Sequence, residues 1–178
     1  MKKENITMVA GALLVMLGLL AQRVNKKNNQ ITHTADDMQT NTNIPRGYRN
    51  NNPLNIIISS QAWKGKVTPN TDGRFEQFES MAYGYRAAFV ILRTYVNKYN
   101  CDTLAKIITR WAPPSENKTT SYIQSVCSIT GFKQGEYINP YSETQMESLV
   151  YAMSIVENGR KVMPDIQAIN QGWQLYIS

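Results

Sequence analysis

The position whose setting best suits acid chemistry is Glu157, which closes the stretch YAMSIVENG directly after Ile155 and Val156 and directly before Asn158 and Gly159. If that stretch is a helix stopped by the glycine, the carboxyl group sits at the negative end of the helix dipole beside apolar neighbours. Both favour the neutral acid, the form a general acid needs. A helix C-terminus ordinarily prefers Lys or Arg, so a Glu there runs against the stabilising pattern. The competing reading is a solvated terminal Glu. Three other carboxylates are candidates: Asp72 and Glu76, on or beside a turn-rich region, and Glu116 in the loop PPSENKT. Glu76 alternates with Phe75 and Phe78 and could simply face water, while Glu116 could cap the helix that follows. Arg46, Arg49 and the Asn50–Asn52 cluster could hold a sugar chain by hydrogen bonds or stabilise a turn.

Other chemistries are excluded by what is missing. Cys101 and Cys127 are too few and too far apart for a zinc site, and the single histidine, His33, lies in a polar stretch. His33, Asp36 and Asp37 read as solvated linker residues rather than a metal cluster. With no histidine in the folded part, neither a Ser-His-Asp nor a Cys-His device can be assembled. No metal and no cofactor are expected. The two cysteines read as separate buried thiols, with a disulfide as the alternative in an oxidising compartment.

The elements that must position these groups follow from periodicity. An Asn- and Pro-rich loop, RGYRNNNPLN, leads into a β-branched run at Ile56–Ile58. Further extended pieces are expected at Trp63–Val67 and Arg74–Phe78, separated by the turn sequence Pro69-Asn70-Thr71-Asp72-Gly73, giving a small β-hairpin element. Met81, Tyr85, Ala88, Phe89, Leu92, Val96 and Tyr99 recur at helical spacing. Asp102 is expected to cap a helix running to Trp111 before Pro113-Pro114, and another runs from Lys118 to Ile129 before Gly131. Ser142 opens a capping box, SETQ, for the helix that carries Glu157, and Pro164 starts a last helix to Leu175. The fold class expected is mainly α (α+β).

Residues 6–21, ITMVAGALLVMLGLLA, are apolar and uncharged, with Lys2 and Lys3 before them and Arg23, Lys26 and Lys27 after. The run is slightly short for the hydrocarbon core, which flanking basic residues can offset by snorkelling. A retained anchor is favoured over a cleaved signal peptide, because the small-residue site near Leu19–Ala21 is poor. The expected organisation is a membrane anchor over 1–23, one transmembrane helix touching lipid through 6–21; a polar flexible linker over 24–44; and a folded domain over 45–178. An apolar share of 42% with 18% charged residues argues for a packed core. The net charge of +6 suits an anionic partner, but no basic run concentrates in the domain, so nucleic acid is not expected.

Taken together, RGYRNNNPLNI, FEQFESMAYGYRAAFVILRTYV, TLAKIITRWAPPSENKTTSYIQSVCSITG and AMSIVENG resemble a family of lysozyme-like phage and prophage virion proteins, over roughly Pro45 to Gly172. The resemblance implies a lysozyme-like helical domain of muramidase or lytic-transglycosylase type, acting on peptidoglycan glycan strands. In lytic transglycosylases the catalytic Glu ends an apolar helix in an ESG- or ETG-like sequence, and segments similar to NNPLNI and FEQFES follow it. Here they precede the ENG-ended helix, which implies a circular permutation. On that resemblance Glu157 is the acid and Glu76 or Asp72 a second carboxylate. Arg49, Asn52, Asn55, Trp63, Tyr85, Glu116 and Asn158 are the expected substrate-binding residues. The resemblance further implies a protein at the virion membrane or host envelope, facing the wall, in contact with other virion proteins. The alternative is a catalytically inactive virion protein of the same fold.

Overall fold

In the first part of the folded chain, side-chain amides and short stretches of backbone pairing share the bonding. The computed structural model describes residues 44–115 and 117–178. After Pro45 comes a one-turn helix α1 (Arg46–Arg49), where a loop was expected. Asn51 and Asn55 then take left-handed backbone conformations (φ 50° and 52°), a region Asn tolerates better than most residues. Asn52 is fully buried: its Nδ2 donates to the carbonyls of Ile56 and Glu76 (2.9 Å each), and its Oδ1 accepts from Ile56 N (2.9 Å).

The expected β-hairpin is corrected: among the described residues there are only isolated antiparallel bridges, Ile57 with Phe75 and Lys66 with Phe78 here, and Thr103 with Tyr137 elsewhere, and no strand. Backbone bonds do cross the expected segments, Glu76 N donating to Ile56 O (2.8 Å), Ile58 N to Arg74 O (2.9 Å), Val67 N to Gln77 O (2.8 Å) and Glu79 N to Gly65 O (2.9 Å), but the pairing does not extend beyond a single bridge at either place. The turn between them is tied by side chains: Asn70 Oδ1 accepts from the backbone N–H of Asp72 and Gly73, Asn70 Nδ2 donates to Phe75 O, and Gln77 Oε1 accepts from Thr71 N. The expected transmembrane helix finds no support either. Among the described residues no helix is long and apolar enough to cross a membrane, and residues 1–43, on which the anchor and nearly all of the linker were placed, lie outside the described residues.

The remainder is helical: α2 (Met81–Tyr99), α3 (Leu104–Trp111), α4 (Thr119–Thr130), α5 (Glu143–Asn158) and α6 (Ile166–Ile177). Caps decide the ends. Thr103 rather than Asp102 caps α3 by accepting from Lys106 N, while Asp102 pairs with Lys106 Nζ at 2.8 Å. Ser142 accepts from Gln145 N at the start of α5, but the Gln145 side chain turns to Asn139 N and Tyr137 O, so the capping box is half formed. The last helix starts at Ile166, two residues after the start expected at Pro164, and Asp165 caps it by accepting from Gln167 N.

The core joins α2 and α6. Phe89 meets Trp173 edge-on at 5.3 Å between centroids, and Trp173 meets Tyr176 at 5.0 Å. Gly172 permits this approach, since a Cβ there would lie 2.7 Å from Tyr85 Cβ and 2.8 Å from Ala82 O. Met146, Leu149, Val150 and Met153 of α5, and Leu104, Ile107 and Ile108 of α3, are completely buried and complete the interior. This packing fixes the C-terminal end of α5 against α1, α4 and the Asn-rich loop.

Candidate active site

Glu157 stands in the last turn of α5, which Gly159 ends in a left-handed-side conformation (φ 76°) that other residues rarely adopt. Its carboxylate is half-buried and meets three side-chain donors. Oε1 accepts from Trp111 Nε1 (3.0 Å) and the Tyr122 hydroxyl (2.9 Å), and Oε2 accepts from Asn55 Nδ2 (3.1 Å). Each donor comes from a different element. Trp111 is the last residue of α3, held there because the chain turns away at Pro113-Pro114. Tyr122 lies in the first turn of α4 and is buried, and burial, with Glu157 adding to it, pushes its phenol well above the usual range. It therefore stays a neutral hydrogen-bonding group. The apolar surroundings expected around Glu157 are in fact two aromatic rings that each present a polar handle.

Asn55 and Asn158 tie the Asn-rich loop to the end of α5. Asn158 Nδ2 donates to Pro53 O (2.6 Å) and Ser154 O (2.9 Å). Both residues leave a buried Oδ1 without a donor, and both oxygens face Gly47. A Cβ at position 47 would collide with Asn158 Oδ1 and lie 2.9 Å from both Asn52 O and Asn55 Oδ1, so only glycine fits beneath the two amides.

Beside this arrangement runs an open groove of about 300 Å3, lined by Asn117, Lys118, Ser121, Tyr122 and Ser125 on one side and Val156 and Glu157 on the other. It offers hydroxyl, amide and ammonium groups next to one carboxylate, a composition suited to a polyhydroxylated ligand with an acid at one bond.

Of the residues singled out from sequence, Glu157, Asn55 and Asn158 come together here. The others do not. Glu76 is completely buried, with Lys66 Nζ 3.0 Å from both its oxygens; only the Oε1 contact has hydrogen-bond geometry, and Ser59 N also donates to Oε1 at 2.9 Å. A buried carboxylate neutralised in this way is a structural ion pair, and no hydrogen bond links it to Glu157, so the second catalytic role is corrected. Asp72 forms a two-pronged pair with Arg46 (2.7 Å to each oxygen) and also accepts from Asn50 Nδ2. The Arg46 guanidinium holds its carboxyl well below the usual carboxylate range.

Asn52 is sealed into the loop and Tyr85 into the core, where its hydroxyl donates to Ser154 (3.4 Å), so neither can touch substrate. Trp63 packs against the core with its indole N–H buried and unpartnered, and it does not line the groove. Arg49 is half-buried and makes no ion pair among the described residues. Glu116 lies outside the described residues. Cys101 and Cys127 are free thiols.

Sequence reasoning missed Trp111 and Tyr122. The available signal was two amphipathic aromatics flanking the loop APPSENK, at a helix end and a helix start, where one face is packed and the polar atom is left to be used.

The molecule is thus a mainly helical protein in which one groove-lining carboxylate is gripped by three side-chain donors. Its sequence is 40% identical over 117 residues to Protein P5 of Pseudoalteromonas phage PM2, an alignment covering 64% of this chain and 71% of that protein. The chain belongs to that phage protein family. No family model matches it.

Proposed function

We propose that this protein cleaves the β-1,4 bond between N-acetylmuramic acid and N-acetylglucosamine in peptidoglycan, with Glu157 as the general acid, as a phage enzyme of cell-wall entry or lysis. The observation that carries the reading is a carboxyl group fixed by Asn55, Trp111 and Tyr122 at the edge of a polar groove. The likeness of its sequence segments to lysozyme-like virion proteins and its membership of a phage family support it.

In the reaction Glu157 gives its proton to the glycosidic oxygen as that oxygen's bond to C1 breaks. The Tyr122 hydroxyl, able to donate or accept, turns with that proton. Among the described residues no second carboxylate lines the groove, which supports attack on C1 by the muramyl 6-hydroxyl, its proton passing to Glu157, over carboxylate-directed attack by water. The product would carry an anhydro end. No cofactor enters any step.

The test is digestion of purified peptidoglycan by the full chain beside Glu157→Gln, with mass spectrometry of the released muropeptides. Wild type is expected to release anhydro-ended products, reduced about 10²–10⁴-fold in the variant, the usual worth of a general acid. Reducing ends would instead assign a hydrolase. Release that survives the substitution would remove Glu157 from the chemistry.

A second reading rests on the same bonds: every oxygen of Glu157 already has a donor, as in a structural carboxylate. On that reading the protein is an inactive virion component, folded wild type releases nothing from any wall type, and Glu157→Gln lowers only the melting temperature.

A further inference from the structure

Lys118, Ser121, Tyr122 and Ser125 follow one another at three- and four-residue spacing, so they form one stripe along the start of α4, and this stripe walls the groove. Tyr122 carries its hydroxyl to Glu157, and Lys118 stands one helical turn before it, about 6 Å along the axis. Lys118 and Glu157 are the only charged side chains among the described residues lining the groove, and neither forms an ion pair there. On the other side of the acid, Arg160 and Lys161 follow Glu157 within four residues. Both are exposed and make no ion pair among the described residues. The acid is thus flanked by cations that the described residues leave unpaired.

An unpaired ammonium in a binding groove is matched to a negative charge that the ligand brings. Along a peptidoglycan strand the sugar rings are neutral, and the lactyl carboxylate of each peptide-bearing muramyl unit is consumed in the amide that begins the stem peptide. The first free acid is then the α-carboxylate of the γ-linked D-glutamate, the second residue of the stem. We infer that Lys118 is a specificity-determining residue that takes this carboxylate, so that the groove selects glycan carrying unamidated stem peptides. The inference rests on the peptidoglycan reading for its ligand. Lysine suits the task, because a compact charge on a flexible stem can follow a peptide that is not rigidly fixed to the sugar. Arg160 and Lys161 add to the positive potential at the same place and favour the approach of acidic strands, an effect that salt weakens.

The test titrates the full ¹⁵N-labelled chain with the disaccharide tripeptide GlcNAc-MurNAc-L-Ala-γ-D-Glu-L-Lys in two forms, the D-glutamyl α-carboxylate free or converted to its amide. The two ligands differ by a single charge. Binding is followed at the indole N–H of Trp111, which donates to Glu157. The free form is expected to shift this signal saturably and to bind about three- to tenfold tighter than the amide at low salt, a preference that shrinks as salt is raised. Lys118→Gln should bring the ratio of the two affinities close to one, and Lys118→Arg should restore most of it. Equal affinity of the wild type for both forms, a preference that Lys118→Gln retains, or no saturable shift with either form would overturn the inference. If the wall is nonetheless cut in a Glu157-dependent way, the glycosidase stands without it. If the free form binds through Lys118 and the wall is not cut, the selectivity of the groove stands and the glycosidase falls.

Discussion

Tyr122 shows how a residue reads differently alone and in place. In the sequence it is one aromatic in a short helix; in the structure its hydroxyl reaches Glu157 Oε1 at 2.9 Å. Tyr122→Phe keeps the ring and removes the donor. A hydrogen bond to a charged group is worth about 1.5–3 kcal/mol, so turnover of wall substrate should fall at least about tenfold with little change in KM. Steady-state kinetics would decide this, and an unchanged kcat would mean that Tyr122 does not position the acid. Glu147, on the α5 face beside α6, is the other carboxyl with a setting of its own: burial, then the charge of Glu143, pushes it up to about 7. The Asn170 amide, oriented to satisfy both its ends, donates to Glu147 Oε1 at 3.1 Å and offsets part of that. A raised folded-state pKa gives stability that is full below the unfolded value near 4.5 and is lost as pH rises through about 7. Glu147→Gln should therefore match wild type at pH 4 and exceed it by about 1 kcal/mol at pH 8, after allowing for the group's partial exposure. Thermal melts at the two pH values would show the crossover.

At the scale of elements, the site depends on how α1 and the Asn-rich loop dock on the end of α5. Gly47 is where they meet. Gly47→Ala would push Asn158 and Asn55 away, costing about 1–3 kcal/mol as overpacking does, and would lower activity further by moving a donor of Glu157. Gly135→Ala is the control, because nothing lies within 4 Å of its added Cβ. Denaturant unfolding beside muropeptide release would separate the two effects, and equal behaviour of the two variants would mean that the loop can yield at no cost. The same region holds what remains of the expected hairpin. The alternation over Ile56–Ile58 and Arg74–Phe78 does bring single bridges together, with Glu76 N donating to Ile56 O and Ile58 N to Arg74 O, while the amides of Asn52, Asn70 and Gln77 tie the flanking loop and turn. Periodicity registers which residues pair and face inward; it does not fix how far the pairing runs.

At the scale of the whole molecule, stability resides in the contact between α2 and α6. Phe89 is completely buried against Trp173 and Tyr176, and Phe89→Ala should cost about 3–5 kcal/mol. Urea unfolding should then show a lower midpoint with an unchanged slope; a loss under about 1 kcal/mol would mean that the α2 and α6 faces close over the gap. The sequence by itself determined the helices from α2 onward to within a few residues, because apolar spacing, Gly131, Gly159 and the Pro113-Pro114 break are local signals. It also singled out Glu157, Asn55 and Asn158. It misplaced Tyr85, Asn52 and Glu76, since a polar atom on an inward face reads the same whether it meets substrate or a partner such as Ser154 or Lys66. Only the tertiary structure decided that Trp111, Tyr122 and Asn55, at sequence separations of 46, 35 and 102 from Glu157, converge on one carboxylate. Hydrogen bonds across such separations depend on how helices pack, and packing is a property of the whole core rather than of any segment.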